Sequence, residues 1–113
     1  MQELVSQMDD MVLRGEIPQA VDKFFNGDAR TRDVDGSETT TKQQAIDKLT
    51  GFVGSIAQVN EITLLNSSVG DNVSMSEFRF HFNMKDGSVI KWHEVIRRVW
   101  QDNEVVDETY FQN

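Results

Sequence analysis

Glu94 is the residue in this chain most at odds with its neighbours. It lies in the stretch Val89-Ile90-Lys91-Trp92-His93-Glu94-Val95-Ile96, where the other even-numbered positions are Ile, Trp and Ile. Alternate residues of a strand share one face, so Glu94 shares its face with Ile90, Trp92 and Ile96. Burial among such groups disfavours the charged form of a carboxyl and raises its pKa. A carboxyl kept neutral in this way can donate a proton or a hydrogen bond, a recurring device in active sites. A plain structural role is equally open, in which Glu94 pairs with an arginine at the rim of the sheet.

Other chemistry finds less support. His81 and His93 fall on the opposite, outer face of the same strands, as solvated or dimer-facing histidines. A metal site needs a third ligand, and neither HExxH nor any similar spacing occurs. Gly51 and Gly54 lie inside a helical stretch and match no phosphate-binding loop. No nucleophile-elbow motif supports a Ser-His-Asp site. Cysteine is absent, which removes disulfides and thiolate chemistry. Acid–base work by carboxylates needs no cofactor, so none is expected.

Composition narrows the classes further. The chain has 113 residues, with 11 Lys+Arg against 19 Asp+Glu and a formal net charge of −8. It repels phosphate backbones, and no basic patch offsets this, so nucleic acid is not an expected partner. No apolar run reaches membrane-spanning length. Met1-Gln2-Glu3 lacks the basic, apolar start of a signal peptide. The expectation is a single cytoplasmic domain over residues 1–113.

The elements that must position Glu94 can be read from periodicity. Leu4, Met8, Met11 and Val12 recur at helical spacing, and Gly15 is a stop. Pro18 suits the first turn of a second helix, which buries Val21, Phe24 and Phe25. A short extended piece over 29–34 ends in the turn signal Asp35-Gly36-Ser37. Thr41 and Gln44 have capping-box spacing. The helix after them puts Ala45, Ile46, Leu49, Phe52, Val53 and Ile56 on one face. From Val59 the period becomes two, with strands near 59–69, 73–84, 88–101 and 104–112. Helices first and long strands after give an α+β domain, an antiparallel meander with helices on one face.

Register decides what faces inward. A two-residue loop at Asp86-Gly87 pairs Phe82 with Lys91. A three-residue loop, Lys85-Asp86-Gly87 with Gly87 left-handed, pairs Phe82 with Ile90, Phe80 with Trp92 and Phe78 with Glu94. A slip of one residue moves every side chain to the other face. The second register gathers Phe78, Phe80, Phe82, Ile90, Trp92 and Ile96 on one face, and the hydrophobic pattern selects it. At the next hairpin, a two-residue loop at Asp102-Asn103 sets Arg98 opposite Asp107 and Arg97 opposite Glu108. Val105, Asp107, Thr109 and Phe111 then join the inner face. Val89, Val95, Val99, Val106 and Tyr110 join the outer one.

The segment Gly27-Asp28-Ala29-Arg30-Thr31-Arg32-Asp33-Val34-Asp35-Gly36-Ser37-Glu38 resembles the corresponding stretch of bacterial ketosteroid isomerases. There, an aspartate ending a strand is followed, after two intervening residues, by Gly-Ser-Glu. Asp33 matches that aspartate, and Val34 stands in the place of the usual proline. The order of elements is similar to that of SnoaL-like proteins of the nuclear-transport-factor-2-like superfamily over nearly the whole chain. The resemblance implies a cone: a curved antiparallel sheet with three helices on its concave face and a deep hydrophobic pocket between. It implies that Asp33 is the general base, although a strand-end turn residue is the plainer role. It places Glu94 at or beside the isomerase's protonated aspartate. The isomerase's helix tyrosine corresponds to Met8 or Asp9, neither of which is a phenol. Trp92, Phe78, Phe80 and Phe82, with Met8, Phe52 and Phe111, would hold a flat apolar molecule. The implied function is an acid–base isomerase or cyclase acting on a steroid- or polyketide-like carbonyl compound. The alternative is a non-catalytic binding or interaction module. A homodimer through the outer sheet face is implied in either case.

Overall fold

The computed structural model describes all 113 residues. The first helix, α1 (Gln2–Leu13), buries Val5, Met8 and Val12, and Gly15 follows with a φ of +78°. Pro18 opens α2 (Ile17–Phe24), whose buried side is Ala20, Val21 and Phe24. The chain then extends at once into β1 (Phe25–Arg32), four residues earlier than periodicity suggests. Its polar start, Asn26-Gly27-Asp28, conceals a strand that alternation would otherwise reveal.

A turn over 33–37 leads to the short strand β2 (Glu38–Thr39) and then α3 (Lys42–Gly54). Thr41 caps α3, its hydroxyl accepting from the Gln44 N–H at 3.2 Å. The Gln44 side chain reaches back one residue further than a capping box, to the Thr40 N–H at 2.8 Å. Of the apolar face of α3 only Ala45 is fully buried. Ile46, Leu49 and Phe52 are partly buried against the core, because α3 spans open space over the sheet. Ile56, expected on that helical face, instead begins β3.

Four long strands follow: β3 (Ile56–Val69), β4 (Val73–Met84), β5 (Val89–Gln101) and β6 (Glu104–Gln112). The sheet order is β2-β1-β6-β5-β4-β3. The meander from β3 to β6 is antiparallel as the short turns require, but β1 joins β6 in parallel, so the sheet is mixed. The β4–β5 register is the expected one: Phe82 faces Ile90, Phe80 faces Trp92 and Phe78 faces Glu94. Gly87 takes a φ of +89°, which only glycine adopts without strain.

The β5–β6 register departs from expectation beyond the turn. Asp102 and Asn103 form the two-residue loop, both with positive φ, and Trp100 pairs with Val105. The register then shifts, so that Val99 faces Asp107, Arg98 faces Glu108 and Ile96 faces Tyr110. One extra residue in β6 is a β-bulge, and it reverses the faces from there on. Glu108, Tyr110 and Gln112 therefore point inward. Asp107, Thr109 and Phe111 point outward, and Phe111 is 51% exposed.

Candidate functional site

A cavity of about 140 Å³ lies between the helices and the inner face of the sheet. Its apolar wall includes Met8 of α1, Phe52 of α3, and Phe80, Phe82 and Trp92 of β4 and β5. Phe52 stacks on Trp92 with ring centres 5.5 Å apart and meets the edge of Phe82 at 5.9 Å. Phe78, expected on the same wall, is wholly buried beneath it, stacked on Phe80 at 5.4 Å. Phe111 is excluded from the wall by the bulge. Tyr110, assigned to the outer face on sequence, takes its place inside.

The polar end of the cavity holds Glu94, Asp33, Lys48, Tyr110, Glu108 and Arg98. Glu94 is 7% exposed. No arginine pairs with it; its carboxyl accepts one hydrogen bond, from Gln112 Nε2 to Oε1 at 2.9 Å. Oε2 is left to the cavity. Burial pushes the Glu94 carboxyl up to about 7. The Gln112 bond opposes this, and the nearby Asp33 and Glu108 carboxylates add to it.

Asp33 sits in the turn directly after β1. Its Oδ1 accepts from the Val34 N–H at 2.8 Å, and its Oδ2 from Lys48 Nζ at 3.0 Å. Lys48 also donates to Ser37 Oγ at 3.0 Å, so the α3 lysine ties the turn to the cavity rim. The structure thus brings Asp33 and Glu94 to one cavity, and it adds a lysine that no sequence motif marks.

Behind the cavity lies a buried charge network. Arg98 is 1% exposed. Its Nε donates to Glu108 Oε2 at 3.0 Å and its Nη1 to Asp9 Oδ1 at 2.8 Å. Ser76 Oγ donates to Asp9 Oδ2 at 2.8 Å, and the Tyr110 hydroxyl donates to Glu108 Oε1. Burial works against the Arg98 charge, but the two carboxylates outweigh it and hold its pKa above the ordinary value. Burial and the adjacent Glu108 likewise hold the Tyr110 phenol well above its ordinary value. No buried side-chain nitrogen or oxygen lacks a partner. Asp9 therefore links α1 to the sheet through Arg98 and Ser76. Sequence alternation puts Arg98 inside with Ile96 and Trp100; its partner Glu108 depends on the bulge, which no motif announces.

With this geometry in view, comparison with solved structures is decisive for the fold. A Mesorhizobium loti protein assigned as a SnoaL-like polyketide cyclase superposes with a TM-score of 0.86, covering 97% of each chain at 14% identity. The chain has the SnoaL-like fold. A ketosteroid isomerase-like fold protein from Catenulispora acidiphila, in complex with trimethylamine, matches 96% of this chain and 84% of its own with a TM-score of 0.79 and 15% identity. A nuclear-transport-factor-2-like protein of unknown function from Burkholderia pseudomallei matches 99% and 89% with a TM-score of 0.82 and 11% identity. No family model and no curated protein matches the sequence itself. On the SnoaL-like fold the shared part is the cone of helices and sheet; the side chains of the cavity must be judged on their own chemistry.

Proposed function

We propose that this chain binds a small apolar carbonyl compound and moves a proton on it, as an isomerase or a cyclase. The Asp33 carboxylate takes a proton from the carbon beside the carbonyl, and Glu94 Oε2–H donates to the carbonyl oxygen as the enol forms. Returning the proton to another carbon gives an isomer; attack of the enol carbon on a second carbonyl closes a ring. The observation that carries this reading is Glu94, a buried carboxyl on the same cavity as Asp33 with a single hydrogen bond; burial pushes it up to about 7, which suits proton transfer at neutral pH. The volume refines the substrate. A cavity of roughly 150 Å³ holds one benzene, so one ring's worth of substrate is enclosed and a larger polycyclic body would extend through the mouth.

The reading is tested with cyclohexanone in heavy water, following loss of its α-proton signals by NMR. The protein is expected to accelerate exchange, and Asp33→Asn and Glu94→Gln each to lower the rate by about 100-fold. Unchanged exchange in both variants would remove the proposed roles. A second reading, non-catalytic ligand binding, is favoured by the engagement of both Asp33 oxygens, Oδ1 by the Val34 N–H and Oδ2 by Lys48. Binding of cyclohexanone without exchange is its expected signature. The Catenulispora protein of this fold is itself in complex with a small molecule, trimethylamine.

We also propose a homodimer through the outer sheet face, where Met75, Val89 and Phe111 are exposed. Phe111→Asp is expected to shift sedimentation from dimer to monomer; a monomeric native chain would rule the pairing out.

A further inference from the structure

We propose that the cavity also takes a compact organic ammonium ion, its N–H groups donated to the free oxygen of Glu94 and its hydrocarbon part held among the aromatic rings. The argument begins with charge. Both cations on the cavity wall are already engaged, Lys48 by Asp33 and Arg98 by Glu108 and Asp9. Glu94 is the one cavity carboxyl without a cationic partner, its sole bond coming from a neutral amide.

The surroundings of Glu94 do not supply the missing charge from any side. The turn after β1 brings Asp33, and α3 brings Lys48, held by that aspartate. β6 brings Glu108 and Tyr110, β5 brings Arg98, and α1 brings Asp9 behind it. From β4, Phe78 stands opposite and Ser76 beyond it, and α2 lines the cavity with Ile17, Ala20 and Val21. Four carboxyl groups thus share two cations, and the local field favours a positive guest.

The walls suit such a guest. Phe52, Phe80, Phe82, Trp92 and Tyr110 bound the cavity, and aromatic faces attract cations, more strongly where water is excluded. An ammonium N–H on a carboxylate makes a charge-assisted hydrogen bond, about twice as strong as a neutral one. A six-membered ring carrying one ammonium group matches a benzene-sized space.

The two protonation states of Glu94 then select two classes of molecule. The neutral carboxyl donates to a carbonyl; the carboxylate accepts from an ammonium. An amine would compete with the carbonyl compound and hold Glu94 ionised.

Cyclohexylammonium chloride is the probe, with cyclohexanone as its uncharged counterpart and sodium chloride as the ionic-strength control. Binding is read by tryptophan fluorescence, to which Trp92 on the cavity wall contributes, and by ligand-observed NMR. Because Glu94 titrates at about 7, the ammonium should bind roughly 30-fold tighter near pH 8.5 than near pH 5.5, the change in the ionised fraction. Cyclohexanone should show the opposite trend. Glu94→Gln, checked for folding by circular dichroism, should lose the ammonium preference. Absence of binding, equal affinity at both pH values, or undiminished affinity in the folded variant would overturn the proposal. No turnover enters the titration, so its failure is separable from failure of the proton-transfer reading, and the native protein's pH dependence is decisive even if the variant does not fold.

Discussion

Replacing Arg98 with methionine is expected to destabilise the fold by roughly 3–5 kcal/mol, because it leaves two buried carboxylates without their cation. Those carboxylates are Asp9 and Glu108, each only a few per cent exposed. The loss is a large part of the roughly 5–15 kcal/mol that holds a domain of this size folded. The arginine also joins three elements, since Asp9 belongs to α1 and Glu108 to β6 while Arg98 itself is on β5. The companion variant Asp9→Asn/Arg98→Met/Glu108→Gln removes the stranded charges with the cation and is expected to regain most of the loss. Urea unfolding of the three proteins checks both statements. A loss under about 1 kcal/mol for Arg98→Met would mean that water reaches the network.

Glu94→Gln is expected to act in a pH-dependent way. The folded carboxyl titrates at about 7 against an ordinary 4.5, so the folded state holds its proton more tightly than the unfolded state. Its stabilising contribution is full below pH 4.5, declines as pH rises, and is lost above about 7. At about 1.4 kcal/mol per pH unit, the native protein should lose on the order of 3 kcal/mol relative to the glutamine variant across that window. Carboxylates whose pKa is lowered, such as Glu61 and Glu77 on the outer face, respond in the opposite sense, but they are common to both proteins and cancel in the difference. Urea midpoints taken at several pH values give the curve. A difference that stays flat would mean that Glu94 is solvated.

Much of this architecture is legible in the sequence because each part has a local cause. Gly15, Pro18 and Thr41 mark helix ends by backbone chemistry. The alternation of Phe78, Phe80 and Phe82 against Ile90, Trp92 and Ile96 admits one register, and with it the inward place of Glu94. The rest depends on contacts distant in the chain. The parallel pairing of β1 with β6 joins residues far apart in sequence, and the polar start of β1 carries no alternation. Lys48 looks like an exposed helix lysine until the turn at Asp33 folds against it. Alternation alone turns Tyr110 and Glu108 outward, because the bulge that turns them inward has no glycine or proline to signal it. That one residue separates the inferred pair of Arg98 and Asp107 from the observed pair of Arg98 and Glu108.

The same bulge lets one β6 sequence hold two alternative pocket walls, of which the structure selects one. Pairing without the bulge, with Val106 opposite Val99 and Asp107 opposite Arg98, would slip β6 by one residue, and every side chain from there to the end of the strand would exchange faces. Asp107, Thr109 and Phe111 would enter the cavity, and Glu108, Tyr110 and Gln112 would leave it. That slip would discard the partner of Arg98, the phenol and the amide that holds Glu94 in one event, whereas deletion of Val106 would keep all three and fix the observed register. The extra residue at Val106 thus works as a spacer that sets which half of the β6 side chains the ligand meets, and a chain one residue shorter here would present the same ones.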